Sequence, residues 1–320
     1  MKNELLSLSR DARDVFLLPT KKKEYLLPLF EITENLSGTF KQIALAFIDN
    51  LESVLSTVSI PFQYTCTQVQ NLHFQKLHMV ERIKLVNIVS FDPVTEAQEK
   101  ENDEKALKNA KLCFKEFMES DGGKIVAKEV LERLLLVKND AESLKAAREL
   151  TCQGILLIWG AFEVLARDLF IELLNRQPAR IEMFLTNPSN RKRFGLDKID
   201  WDTLNDFDFD LSKNVGTIVT NRIDLDDIRT IKDAYSAIFP DAIDLVTRLA
   251  DHRLWILFQK RNLIVHRRGI FDQQYIDKTG ESKTIGSKLI VTPAEVEDYL
   301  SATTSAGQAL LIEINKTEHS

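Results

Sequence analysis

The chain has few cysteines, no excess of positive charge and no long uninterrupted apolar run, and each shortage removes a class of protein. Cys66, Cys113 and Cys152 are the only cysteines in 320 residues. Scattered and odd in number, they make neither a disulfide framework nor a paired metal motif, and they suit a reducing cytoplasm. The formal net charge is -6 and the pI about 5.6. That excludes coating of nucleic acid or membrane through overall charge, so an anionic ligand has to be recognised locally. No run reaches the roughly 18 uncharged apolar residues of a membrane span. The first residues, Met1 to Arg13, mix charge with short apolar pairs and lack the apolar core of a secretory signal. What remains is a globular chain, 44% hydrophobic and 28% charged, long enough for one large or two ordinary domains. A cytoplasmic location is expected.

Apolar residues recur at three- and four-residue steps through most of the sequence, which predicts helices. One pattern runs from about Pro28 to Val58, carrying Phe30, Leu36, Phe40, Ile43, Phe47 and Leu51, and a second from about Tyr64 to Ile88. The charge-rich segment Pro93 to Ser120 reads as a long helix with one wet face. Ile125 to Leu150 leads with little interruption into Thr151 to Asn175, the second most apolar stretch, which must be a central helix. There Gly160 and Ala161 would permit close approach of another helix. Glu163 stands among apolar neighbours; its uses are an (i, i+4) pair with Arg167 or a pairing with a buried arginine such as Arg261. Short helices follow over Asp224 to Phe239 and Ala242 to Ala250. Gly269 to Ile276 and Ile285 to Val291 read as two strands joined by a polar turn. Thr292-Pro293-Ala294-Glu295 supplies a hydroxyl N-cap, an N1 proline and first-turn acid, so a last helix runs from Pro293 to about Ile314. The expectation is an all-α helical bundle with a small β-hairpin near the C-terminus, divided into an N-terminal region, 1–145, and a C-terminal domain, 146–320.

Several candidate motifs lose to plainer readings. Cys66, His73 and His78 lack zinc-ligand spacing. Gly122-Gly123-Lys124 lacks the upstream glycine and following hydroxyl of a phosphate loop. Arg191-Lys192-Arg193 reads as solvated charge, and Asp206, Asp208 and Asp210 have no histidine or glycine pattern beside them. No metal or cofactor is implied.

Trp255 to Gly269 is the most informative stretch. As a helix it is apolar on nearly every side, which calls for burial all round or burial plus a docked partner. It nevertheless carries Arg261 in the Leu254, Leu257, Val265 arc. His266 lies roughly 140° away with Gln259 and Asn262. A guanidinium in an apolar arc is costly unless paired, so from spacing alone Arg261 reads as half of a structural ion pair.

Arg261-Asn262-Leu263-Ile264-Val265-His266 also resembles the R-x4-6-H signature of the HEPN superfamily, the higher eukaryotes and prokaryotes nucleotide-binding domains. The Gly160-Ala161-Phe162-Glu163-x3-Arg167 helix upstream and Arg267-Arg268-Gly269-Ile270 downstream fit the same pattern. The resemblance covers about residues 148–316. It implies a metal-independent endoribonuclease without cofactor, of the kind found in toxin-antitoxin systems, abortive infection and antiphage defence. It further implies an RNA substrate, an active cleft shared by two protomers of a homodimer, and an antitoxin or regulatory protein as a further partner. One subgroup has a tyrosine two residues after the histidine that becomes nucleotidylated; Arg268 stands at that position here.

The chemistry agrees with the residue types. Cleavage without metal needs proton transfer at the 2'-hydroxyl and 5'-oxygen, which a histidine can perform near neutral pH. It also needs charge stabilisation on the phosphate, which suits an arginine fork. Arg261, His266 and Asn262 are therefore the candidate catalytic residues. Lys260, Arg267 and Arg268 are the candidate substrate-binding patch, and Glu163 and Arg167 the candidate structural support. The alternative is a non-catalytic helical module that uses the same face to dimerise or to bind a protein partner.

Overall fold

A computed structural model describes residues 2–18, 22–85, 95–186, 188–194, 201–223 and 225–319. The protein is all-α. Its helices are, in order, α1 (Lys2–Arg13), α2 (Lys22–Glu34), α3 (Gly38–Val58), α4 (Ile60–Leu85), α5 (Glu96–Glu119), α6 (Gly122–Asn139) and α7 (Ala141–Arg176). A 3-10 turn at Pro178–Ile181 precedes α8 (Glu182–Leu185), α9 (Pro188–Arg193), α10 (Trp201–Asp206), α11 (Val215–Thr220), α12 (Ile228–Ile238), α13 (Ile243–Leu249), α14 (His252–Arg267), α15 (Gln273–Thr279) and α16 (Pro293–Glu318). Among the described residues, no single helix is long and apolar enough to cross a membrane.

The chain forms two compact units: residues 1–18 with 59–147, and residues 19–58 with 148–320. Thus α2 and α3 belong with the C-terminal unit although they lie early in the sequence. The first unit packs α4 against α5 and α6, and α1 against α6. Its core contains Ala12, Phe16, Val69, Val126, Val130 and Leu134. His73, considered above as a metal ligand, instead bonds Glu129 at 2.8 Å and stacks on Phe117.

The second unit is organised by α7, whose Ile158, Trp159, Phe162, Leu169, Phe170 and Leu173 are all fully buried. Burial of each large apolar side chain stabilises by about 1.5–3 kcal/mol, so this segment carries a large share of the core. Helix α16 packs on α2, α13 and α14. It opens with the expected signals: Thr292 caps Glu295 N–H, Glu295 returns to Thr292, and Pro293 occupies the first turn. Close helix approach occurs at Gly307, where an added Cβ would lie 2.5 Å from the Phe47 ring. Gly160, expected to serve that purpose, faces open space.

Two local expectations need correction. The helix expected over Pro28 to Val58 is two helices, because Asn35-Leu36-Ser37 interrupts the pattern between Glu34 and Gly38. The β-hairpin is not formed. Asp272 accepts from Tyr275 N–H at 2.8 Å and Gly280 ends the segment at φ +71°, so Gln273–Thr279 is a capped helix. Phe271 and Tyr275, four apart, pack with their ring centres 5.2 Å apart and their planes tilted by 57°. What remains of the sheet is an isolated antiparallel bridge between Ile270 and Lys288, flanked by the bond from Leu289 N–H to Gly269 O at 2.7 Å.

Candidate active site

Helix α14 starts where Asp251 accepts from Arg253 N–H, and it is held in place by its apolar side chains. Leu254, Leu257 and Leu263 are buried. Phe258 meets Trp159 of α7 at 5.0 Å between ring centres, and Arg229 of α12 lies 4.1 Å over Trp255. The helix is not buried all round, however: Val265 is half exposed, and the turn from Val265 to Arg268 is open to solvent. This end of the helix therefore presents functional groups on a rigid, well-anchored element.

Arg261 is half-buried and makes no ion pair with any described residue. Its Nη1 donates to Oδ1 of Asn262 at 2.9 Å. Glu163 on α7 is the carboxylate whose ionisation is most tied to it: burial pushes the Glu163 pKa up, and the positive charge of Arg261 opposes that rise. Neither pairing expected of Glu163 forms. Its Oε2 accepts from Trp159 Nε1 at 3.1 Å, while Arg167 pairs with Asp168 at 3.4 Å. The Arg261 guanidinium is thus held by a neutral amide, with Glu163 near enough to feel its charge but not in ion-pair contact.

His266 lies on the other side of the helix, exposed, and no hydrogen bond joins it to Arg261. Asn262 links the two sides. Besides accepting from Arg261, it lines with His266 a pocket of about 180 Å³ between α14 and α15. Gln259 forms part of the same wall, and Lys278 faces it from α15.

The basic residues around this site separate into three environments. Lys260, grouped by sequence with Arg267 and Arg268, is only 4% exposed and does not join them. It pairs with Glu295 of α16 beneath the Tyr299 ring. Burial pulls the Lys260 pKa down, but Tyr299 and Glu295 outweigh it and leave the value raised. Arg267 is exposed and pairs with Asp272 at 3.1 Å. Arg268 is exposed with φ +54°, closing the helix in the left-handed region. The accessible basic groups at the end of α14 are therefore His266, Arg267 and Arg268, with Lys278 opposite.

Sequence pattern does not single out Lys278 and Gln274, because Gln274 falls in the expected strand and Lys278 in the expected polar turn. The Asp272 cap and Gly280 stop were the signals that could have placed them on a helix facing α14. No family model, curated protein or solved structure matches the chain in comparisons with known proteins.

Proposed function

We propose that the protein is a metal-independent endoribonuclease in which Arg261 and His266 act on one phosphodiester, with the cleft completed by a second copy of the chain. The observation carrying this reading is a half-buried arginine in ion-pair contact with no described carboxylate, tied through Asn262 to a pocket containing an exposed histidine. Structural arginines in apolar surroundings are normally matched by a carboxylate; one left with its charge available suits an anionic ligand. The resemblance to the HEPN R-x4-6-H signature supports the same assignment.

In this scheme the 2'-hydroxyl loses its proton to an imidazole and its oxygen bonds to phosphorus. The bond from phosphorus to the 5'-oxygen then breaks, and that oxygen takes up a proton. The products are 2',3'-cyclic phosphate and 5'-hydroxyl ends. Arg261 balances the charge that develops on the non-bridging oxygens. Arg261 and His266 project from different sides of α14, which favours a cleft in which each phosphate meets groups from both protomers.

The test is incubation of purified protein with a mixed RNA pool in excess chelator, followed by sequencing of the RNA ends. Wild type should cut, and Arg261→Ala and His266→Ala should not. Mixing the two inactive variants should restore part of the activity if the cleft is shared. A folded wild type as inert as His266→Ala would instead favour a non-catalytic dimerisation or regulatory module of toxin-antitoxin or antiphage type.

A further inference from the structure

Two helices line the pocket beside His266 with polar side chains at matching spacing. Asn262 and His266 stand four apart on α14, and Gln274 and Lys278 stand four apart on α15, so each helix contributes one edge to the same space. The side chains of His266, Gln274 and Lys278 are exposed and form no hydrogen bond or ion pair with any described residue. Their support is nevertheless fixed. Phe271 and Tyr275 are 4% and 3% exposed, and the Asp272 cap and Gly280 stop define the ends of α15. Groups carried on an anchored element lose less freedom when a ligand binds.

The pocket is positive even with its carboxylate counted. Asp272 lines it too, but Oδ1 accepts from Tyr275 N–H at 2.8 Å and Oδ2 from Arg267 Nε at 3.1 Å. Arg267 and Asp272 offset one another, which leaves the Lys278 ammonium as the uncompensated charge. The Tyr275 hydroxyl and Gln259 Nε2 are enclosed and reach no ligand. Every polar group that can reach one is able to donate. Lys278 and Gln274 do so from α15; on α14, Asn262 has its Oδ1 taken by Arg261 and offers its amide nitrogen, and His266 carries a ring N–H in either ionisation state. Several donors around one positive charge suit the oxygens of a phosphate.

We infer that this pocket is a phosphate subsite in which Lys278 and Gln274 are substrate-binding residues, so that α15 forms the second wall of the RNA site opened by α14. The identity of the phosphate as part of an RNA chain rests on the ribonuclease reading. Binding of the phosphate itself is measurable without cleavage.

The experiment uses the full-length protein and a labelled single-stranded 2'-deoxy oligonucleotide, which has phosphodiesters but no 2'-hydroxyl to attack. Fluorescence anisotropy gives its affinity over a range of salt, and inorganic phosphate is added as a competitor. Lys278→Ala should weaken binding about tenfold, the worth of a hydrogen bond to a charged group. It should also reduce the slope of log affinity against log salt by about 0.7. Lys278→Arg should retain both values. Gln274→Ala should weaken binding about threefold, the worth of a neutral hydrogen bond, with the salt slope unchanged. Lys316→Ala is the control for net charge: it lies on α16 roughly 30 Å along the helix from the Glu295 that holds α14, and it should change neither value. Lys278 and Gln274 are exposed, so their variants should melt with wild type.

Unchanged binding in Lys278→Ala, or an equal loss in Lys316→Ala, overturns the subsite. Inorganic phosphate that binds as tightly as the oligonucleotide overturns RNA as the source of the phosphate. Cleavage of RNA is scored separately, and Lys278→Ala should raise KM with kcat unchanged. Cleavage whose KM is indifferent to Lys278 removes the subsite alone, whereas Lys278-dependent binding by a protein that cuts no RNA removes the ribonuclease reading and keeps the subsite.

Discussion

Arg261 donates from Nη1 to Oδ1 of Asn262, its neighbour in sequence, at 2.9 Å. The bond restrains a guanidinium without neutralising it, and through Asn262 it joins the α7 side of α14 to the pocket beside His266. A carboxylate in the same place would hold the arginine more firmly and cancel its charge, so the identity of residue 262 separates positioning from electrostatics.

Asn262→Ala should lower RNA cleavage about tenfold, the value of a hydrogen bond to a charged group, mainly in kcat. Asn262→Asp should lower it about a hundredfold or more, because the introduced carboxylate pairs with the group required to meet developing phosphate charge. The Asp variant should melt no lower than the Ala variant. Cleavage kinetics on a fluorogenic RNA with parallel thermal melts test both statements. Equal activity of the Asp variant and wild type would remove Arg261 from charge stabilisation.

Glu295 holds two groups at once: Lys260 through one oxygen, and the Thr292 N–H and hydroxyl through the other. Glu295→Gln retains an oxygen for the cap and removes the ion pair, leaving a lysine that is 4% exposed without its counter-charge. The cost should be about 2–3 kcal/mol, below the upper range for buried pairs because Glu295 is one-third open to water. Glu295→Ala also loses the cap, about 1 kcal/mol more. Lys260→Met should cost less than either, since the remaining carboxylate is partly solvated and still bonded to Thr292. Burial works to raise the Glu295 pKa, but Lys260 and Thr292 lower it overall. Its contribution is therefore present above the unfolded value of about 4.3 and lost as pH falls through the lower native value. The gap in Tm between wild type and Glu295→Gln should close under acid.

Glu163 has the opposite sign. Burial raises its pKa above the usual glutamate value, with Arg261 opposing. The unfolded chain then releases this proton first, so the contribution is fullest below about pH 4.3 and is lost as pH rises through the raised native value. Glu163→Gln keeps an acceptor for Trp159 Nε1 and cannot ionise. It should match wild type in Tm near pH 4 and exceed it at pH 7. A melting series across that range decides the point, and a variant less stable than wild type at pH 7 would show that Arg261 outweighs burial.

The helical nature of the chain and the site helix were legible because their signals are local. Periodicity marks α14 and α16, and Thr292 to Glu295 announces the α16 start by residue type alone. The 3.6-residue period also separates Arg261 from His266 and groups Gln259, Asn262 and His266, as observed. What was not legible depends on tertiary neighbours. Lys260 looks like its basic neighbours in sequence, and only Glu295, 35 positions away, makes it a buried pair. Gly269 to Ile276 reads as a strand followed by a polar turn, and the caps at Asp272 and Gly280 decide for a helix over Gln273–Thr279. The membership of residues 19–58 in the C-terminal unit is a matter of long-range packing that no local pattern encodes.

Arg268 provides a last test, because its backbone and its charge are separable. It is the C-terminal cap of α14 at φ +54°, followed by Gly269 at φ +73°, and Gly269 N–H bonds back to Leu263 O at 3.0 Å. A helix end that turns in the left-handed region commonly places glycine where Arg268 stands. An arginine in the left-handed region costs roughly 1 kcal/mol relative to glycine. Its long side chain is exposed, so little packing offsets the cost. Arg268→Gly should therefore raise Tm by about 2–4 °C, the shift expected per kcal/mol for a unit of this size. If the side chain contacts RNA phosphate, the same variant should bind single-stranded RNA more weakly, with the slope of log affinity against log salt reduced by about 0.7. Arg268→Lys keeps the charge and the strained backbone, so it should retain wild-type Tm and salt slope. A glycine variant that is more stable and binds RNA unchanged would assign Arg268 no part in the site.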